Sequence, residues 1–485
     1  MEPVFPFDLA VTEGPRSQSL HQQLRAAILD GRLAAGAALP ATREVAAALG
    51  IARNTVVAAY DLLVAEGYAI PRRGAKAIVA DVTTRMASRA RARRVDATPP
   101  FRPLWTLPSM QPEARRDLPD RCFRLGVPEH LHFPHDTWRR LSARVLRAWS
   151  RKGFAFPPTE GIPALREAIA QHVAFARAVA CTPGDVVVTS GAQQAIDLIA
   201  RLFVVPGQTR VAVEDPGYPP VRATFAAAGA KLVHVPVDEE GLCVDQLPTD
   251  VRVVSVTPSH QSPTGVALSM RRRVALLDFA RRHGAVVVED DYDGEFRFGG
   301  RPLDALQTLD RDGLVFYVGT FTKSLFPALR KGFVAAPRWA RDALVAVKHG
   351  TDSHGDAITQ GVLAAFIREG HLARHVRHMR PIYASRRMAL LDGLRGQLGG
   401  WLDPIASEAG LHLAARIREP QRADAIIACI RRHAPGAQSV AEYASLPLEA
   451  PAVVFGYGVI DVEAISPAMR RLRRSFERAA PLTTR

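Results

Sequence analysis

The sequence predicts an α/β protein with two folding units. A small N-terminal winged helix-turn-helix precedes a large domain built on a mainly parallel sheet, with a small C-terminal α/β subdomain. Three observations carry this expectation. Three helical stretches before residue 70 are each closed by a glycine, at Gly31, Gly50 and Gly67. From Phe123 onward, apolar runs alternate with helical stretches, as in a parallel sheet covered on both faces. With 485 residues, 47% hydrophobic and 23% charged, the chain can build two or three cores.

Taken in order, Leu20, Leu24 and Ile28 recur four apart, giving one apolar helical face that stops at Gly31. Pro40-Ala41-Thr42 starts a second helix with Thr42 as its N-cap, followed by inward Val45, Ala46 and Leu49. Asn54 to Glu66 form a third helix that turns Val56, Tyr60 and Leu63 inward. The second and third helices, joined by a tight turn at Gly50, make a helix-turn-helix. Arg53, Asn54 and Thr55 then sit at the end of the helix that enters the major groove, with Arg43 nearby. Strands at 68–70 and 77–79 enclose a basic tip with Arg72, Arg73 and Lys76, a wing suited to phosphate or the minor groove. A net charge of +15 favours a polyanionic partner but also fits an arginine-rich genome.

Arg85, Arg89, Arg91, Arg93 and Arg94 lie in a run without acids, and six prolines follow between Pro99 and Pro119. Like charge and proline both disfavour packing, so residues 81–120 read as a tether between domains 1–80 and 121–485.

In the large domain, strands are expected at 186–189, 211–213, 231–235, 251–256, 285–289 and 314–318. Ser190-Gly191-Ala192-Gln193-Gln194 opens a helix after the first of these, where free backbone N–H groups favour an anion. The Gly-x-Gly-x-x-Gly dinucleotide spacing is absent. Tyr218 ends Asp215-Pro216-Gly217-Tyr218 after a second strand. Glu289-Asp290-Asp291 crowds acids at the end of a buried strand, which calls for a cation or proton partner. Lys323 lies in Gly319-Thr320-Phe321-Thr322-Lys323, just beyond another apolar run, with Arg330 following. Together these suit pyridoxal phosphate. It needs a lysine for its aldehyde, a carboxylate for the pyridine nitrogen, an anion cup, a flanking ring and a donor at the phenolic oxygen. Asp290 and Asp291 remain rivals for the carboxylate role.

Cys122, Cys181, Cys243 and Cys429 lack metal-ligand spacing and read as free thiols, and no metal is expected. No apolar window is long enough for a membrane span. The first residues lack a basic stretch followed by an apolar core, so a cytoplasmic setting is expected.

Leu39-Pro40-Ala41-Thr42-Arg43-Glu44, Arg53 to Tyr60 and Ala65-Glu66-Gly67-Tyr68 resemble the winged helix of GntR-type bacterial regulators. The wing differs, with Ala75-Lys76-Ala77 where a small Gly-Ser-Gly-Thr-like tip is usual. The ordered motifs from Ser190 to Lys323 resemble fold-type I, class I aminotransferases, and the whole chain resembles MocR-type regulators. That resemblance implies an aldimine to pyridoxal phosphate at Lys323, Asp290 at the pyridine nitrogen, Tyr292 at the phenolic oxygen and Tyr218 on the ring. It implies phosphate contacts from Ala192, Gln193, Thr320, Thr322 and Arg330. It further implies a homodimer that binds promoter DNA and senses a small amine or amino acid, which biases the arrangement of the two domains. An aminotransferase with an accessory DNA-binding domain is the alternative. Two departures matter: Ser262 replaces the usual Asn before Pro263-Thr264-Gly265, and Val453-Val454-Phe455-Gly456-Tyr457 lacks the Arg that can grip a substrate carboxylate. A GABA-like or α-amino-acid effector is therefore not implied. Arg222 is a possible substitute, though a structural role suits it better, and His260 reads as structural. His375, Arg377, His378 and Arg380 read as a solvated basic face.

Overall fold

The computed structural model describes residues 4–5, 7, 16–72, 75–81, 118–151, 156–299 and 304–479. The chain divides into two compact units, Met1–Arg102 and Pro103–Arg485. Arg73, Gly74 and residues 82–117 of the expected tether, with its Arg cluster, lie outside the described residues.

In the first unit, α1 (Arg16–Leu29), α2 (Thr42–Leu49) and α3 (Arg53–Ala65) enclose a core of Leu20, Leu24, Ile28, Val45, Val56, Tyr60 and Leu63. These include the inward positions that the helical spacing selects. Strands β1 (Ala69–Arg72) and β2 (Ala75–Val79) pair antiparallel as the wing. One detail differs from the sequence reading. The cap of α2 is Ala41, and Thr42 is already helical. The Glu44 carboxylate accepts from the Ala41 N–H at 2.9 Å, so an acid in the first turn satisfies the amide that a capping side chain leaves open. Thr42 Oγ1 instead accepts from Arg53 Nε at 3.4 Å, tying α2 to the start of α3.

The second unit begins with the surface helix α4 (His135–Trp149) and with α5 (Pro163–Arg177). Then follow β3 (Val186–Thr189), α6 (Ala192–Phe203), β4 (Arg210–Asp215), α7 (Pro219–Ala228), β5 (Lys231–Asp238), β6 (Gly241–Leu242), β7 (Val251–Val256), α8 (Met270–His283), β8 (Val286–Asp291), β9 (Val315–Thr320) and β10 (Gly332–Ala335). Among the described residues the sheet order is β3-β10-β9-β8-β7-β4-β5-β6. Strands β4, β5, β7, β8 and β9 are parallel, and β10 runs antiparallel between β3 and β9. Val187, Val211, Val253, Val288 and Phe316 are buried within it, which explains their continuous apolar runs.

This topology positions the site. The carboxyl ends of β3, β4, β7, β8 and β9 share one edge, where open α/β sheets form a crevice. Because β10 runs the other way, its entry at Gly332 brings Arg330 and Lys331 to the same edge.

Helices α9 (Arg338–Asp352), α10 (Ala357–Arg368) and α11 (His371–Asp392) lead to a second sheet. Its strands are β11 (Leu402–Pro404), β12 (His412–Ile417), β13 (Gln438–Ser439) and β14 (Ala452–Gly456), in the order β11-β12-β14-β13. Helices α12 (Ala423–His433) and α13 (Val462–Ala479) pack together, and Leu413, Val453 and Phe455 join a core with Met379 and Tyr383 of α11. The solvated reading of α11 is only partly right: Arg377 and Arg380 are exposed, but His375 is buried. Burial, with His378 and His132 adding to it, pushes the His375 imidazole down to about 4.

Candidate functional site

The acid run at the end of β8 is resolved by strand alternation. Glu289 and Asp291 point to one face and Asp290 to the other. Glu289 accepts from the Leu306 and Gln307 N–H groups at 2.7 and 2.8 Å. Asp291 receives Arg177 Nε at 2.6 Å and the Tyr317 hydroxyl at 2.6 Å, and Arg177 also donates to Ser259 Oγ at 2.6 Å. Both acids are thus partnered within the fold. Asp290 is 5% exposed and its Oδ1 has no hydrogen-bond partner. Burial, then the nearby Asp291, pushes the Asp290 carboxyl up to about 7, while Lys323 pulls the other way.

Lys323 follows β9 and donates from Nζ to the Gly126 carbonyl at 2.6 Å. Burial lowers its ammonium below the usual value, against the pull of Asp293 and Asp290. A lowered lysine is the form that attacks an aldehyde, since the neutral amine is the nucleophile. Gly126, at φ 68°, is needed here because a Cβ would stand 2.5 Å from Nζ.

The anion cup forms where β3 meets α6. Gly191, at φ 85°, caps α6 and turns the Ala192 and Gln193 amides outward. Arg330 Nη2 donates to the Ser190 carbonyl at 2.8 Å, setting its guanidinium beside Gly191. Thr320 and Thr322 hydroxyls lie 2.9 Å apart at the end of β9. The Gln193 side chain donates to Thr224, so of this residue the backbone is what remains for an anion. Gln194 braces the loop instead, accepting from Ser190 N at 2.6 Å and donating to Asp352 at 2.7 Å.

Tyr218 sits between β4 and α7 with its ring 44% exposed, accessible to a flat ligand. Tyr292 places its hydroxyl 3.1 Å from His260 Nδ1 and also engages Ser262, the residue that stands in place of the usual Asn. Burial drives the Tyr292 phenol well above its usual value, with Asp293, Asp290 and Glu214 adding to this. Arg222 is spent on the Gly217 carbonyl at 3.0 Å and the Tyr443 carbonyl, the structural role its context suggests. Val454 is buried in β14.

These residues fit pyridoxal phosphate. The unsatisfied Asp290 oxygen wants a proton donor or cation, burial lowers the basicity of Lys323, and the Gly191 cradle offers amides, hydroxyls and a guanidinium to a dianion. Sequence reasoning did not single out Arg177, Tyr317, Asp293 or His412. Arg177 closes a helix in plain arginine-rich sequence and Tyr317 looks like one more sheet residue, so neither carried a local signal.

In the first unit Arg43, Arg53 and Asn54 are exposed and Thr55 is half-buried, all around the start of α3. Arg72 and Lys76 are exposed on the wing strands. Lys76 Nζ lies 3.1 Å from Glu44, so part of its charge is answered within the domain.

Comparison with known proteins gives consistent results. Residues 122–434 match the family described as aminotransferase class I and II, and residues 16–79 match the bacterial regulatory proteins of the gntR family. The chain is 36% identical to the probable rhizopine catabolism regulatory protein MocR of Rhizobium meliloti, over 95% of this chain and 94% of that protein. It is 31% identical to the pyridoxine biosynthesis transcriptional regulator PdxR of Corynebacterium glutamicum, over 92% of each. Among solved structures, the kynurenine aminotransferase of Pyrococcus horikoshii superposes with TM-score 0.68 at 25% identity, covering 75% of this chain and 92% of that one. The α-aminoadipate aminotransferase LysN of Thermus thermophilus gives 0.66 at 27%, covering 74% and 92%.

Proposed function

Because the chain belongs to the MocR-type regulators, which join a gntR-family helix-turn-helix to an aminotransferase class I and II domain, we propose that Lys323 is the sensing residue of a transcription factor. The protein is a pyridoxal-phosphate-dependent, DNA-binding transcriptional regulator of α/β fold. In the proposed reading a small amine or amino acid reaches the cofactor at Lys323 and alters the affinity of α3 for promoter DNA. The observation that carries the site assignment is the buried, unpartnered Asp290 carboxylate on the Lys323 side of β8, with Asp291 consumed by Arg177 and Tyr317.

When bound, pyridoxal phosphate supplies an aldehyde for amine exchange and a ring that accepts electrons. The chain does the rest. Lys323 offers an amine of lowered basicity. Asp290 would hold a proton at the pyridine nitrogen, Tyr292 would donate at the phenolic oxygen, and the accessible Tyr218 would flank the ring. The backbone amides of Ala192 and Gln193, the hydroxyls of Thr320 and Thr322, and Arg330 hold the phosphate. Arg43, Arg53, Asn54, Thr55, Arg72, Arg73 and Lys76 contact DNA, the first four near base edges and the rest on the backbone.

The aminotransferase alternative is weakened by the segment Val453-Val454-Phe455-Gly456-Tyr457, which lacks a carboxylate-gripping Arg, and by the engagement of Arg222 with two backbone carbonyls. Complete turnover of a common amino acid with a keto acid would overturn the regulator-only reading. A homodimer completes the proposal. Sedimentation at micromolar concentration should give twice the chain mass, and a monomer would contradict it. The proposed boundaries are 1–80 for the winged helix, 81–120 for the tether and 121–485 for the cofactor domain. Among described residues no helix is long and apolar enough to cross a membrane, and a DNA partner supports a cytoplasmic setting.

The functional test is promoter binding. Arg53→Ala should abolish specific retention of the protein's own upstream DNA, and unchanged retention would remove α3 from the recognition role.

A further inference from the structure

Beside the cofactor residues lies a buried polar cluster that the proposed function does not use. His260, on the loop after β7, is 1% exposed. Its Nδ1 faces two oxygens, Asp293 Oδ2 at 3.0 Å and the Tyr292 hydroxyl at 3.1 Å. His412, at the start of β12, lies against it with ring centroids 4.4 Å apart and the ring planes tilted by 37°. The Nε2 atoms of both histidines are buried without a hydrogen-bond partner. Gly410, at φ 78°, lets the backbone pass against the His260 ring where a Cβ would collide with His260 and Asp293.

The proton positions follow from elementary electrostatics. A lone pair on His260 Nδ1 would face the Asp293 carboxylate and repel it. Nδ1 therefore carries the hydrogen and donates to Asp293, leaving Nε2 bare, in agreement with its lack of an acceptor. Burial, then the neighbouring His260, holds the His412 imidazole well below its usual value. With Nδ1–H already a donor, the Tyr292 oxygen beside it accepts a share of that hydrogen. The phenol cannot then donate to Nδ1, and its own proton is left to point elsewhere.

We propose that His260, fixed by Asp293, is a positioning residue that keeps the Tyr292 proton directed at the phenolic oxygen of the cofactor. The inference rests on the cofactor reading above. It assigns to this chain a three-residue chain, Asp293–His260–Tyr292, in place of the usual Asn before Pro263, whose position Ser262 takes. The charged and titratable groups facing it are Asp290 of β8, Glu214 of β4, Lys323 beyond β9, His412 of β12 and Tyr457 just after β14. Without His260, the Tyr292 proton turns to the Asp293 carboxylate. The phenolic oxygen then loses a donor to its ionised form, and the lysine-bound chromophore keeps its proton to higher pH.

The test is a pH titration of the visible band of the full chain loaded with pyridoxal phosphate. His260→Gln should raise the band's midpoint by about one pH unit. Tyr292→Phe should raise it similarly, and His260→Gln/Tyr292→Phe should add little to either single change, because both remove one donor. An unshifted midpoint in His260→Gln, or fully additive shifts, would overturn the proposal. Histidine nitrogen NMR of the unmodified protein gives a second readout that needs no variant. His260 should be the Nδ1–H tautomer, and an Nε2–H tautomer would overturn it. A wild-type protein without a visible band would instead fail the cofactor reading itself, a distinguishable result.

Discussion

At the residue scale, Asp290 and Asp291 are neighbours in sequence with opposite duties, and substitution separates them. Asp291→Asn leaves the buried Arg177 without its carboxylate, at 2.6 Å in the native fold, and should cost roughly 3–5 kcal/mol in denaturant unfolding. Asp290→Asn should leave stability nearly intact or raised, while cofactor retention falls by at least tenfold in a dialysis assay. The pH dependence of the cofactor-free protein follows from the same environment. The folded pKa of Asp290 is raised to about 7, so between its unfolded value and 7 the folded state binds more protons than the unfolded one. Its contribution to stability is therefore least unfavourable at acid pH and is lost as pH rises through about 7. Asp290→Asn should flatten that fall in a melting series against pH, and an unchanged slope would remove Asp290 as its source. Sequence alone left the two acids open, because motif order cannot say which face of a strand a side chain takes. Arg177, more than a hundred positions away, and Tyr317 on the adjacent strand engage Asp291, which supports Asp290 in the proposed role. Neither had a local signature.

At the scale of elements, the helices and strands were largely legible, because glycine stops and apolar spacing express the local physics directly. The face Leu20, Leu24 and Ile28 is buried, and the expected strand at 251–256 is β7. The cap of α2 lies one residue before the threonine that the sequence offers, because the back-bonding Glu44 carboxylate serves the Ala41 amide. Single-element tests follow from this agreement. Leu63→Ala removes a fully buried side chain from the centre of the winged-helix core and should destabilise that unit by about 2–5 kcal/mol. Promoter binding should fall with it, while the visible band of the cofactor domain persists. Gly191→Ala tests the junction of β3 and α6. The added Cβ would stand 3.3 Å from the Arg330 guanidinium at a backbone angle of φ 85° that alanine resists. Phosphate affinity should drop several-fold, measured by cofactor titration, with the fold retained by circular dichroism.

At the scale of the whole molecule, the two units are chemically distinct and the account requires them to communicate. The order of motifs from Ser190 to Lys323 made the cofactor domain readable in sequence, because a parallel sheet gathers strand ends that are far apart in the chain. The His260–Asp293–His412 cluster was not readable, since His412 comes from the second sheet and meets the loop after β7 only through tertiary packing. Coupling between sites is a free-energy difference, commonly worth about 5-fold to 150-fold in affinity. The measurement that tests the central claim most directly is promoter affinity of the pyridoxal-phosphate-loaded full chain, taken with and without an amine that perturbs its visible band, in wild type and Lys323→Ala. The account predicts at least about a fivefold change in wild-type affinity and none in Lys323→Ala. The same change in both proteins, or an amine that alters the band without altering DNA affinity, would contradict it.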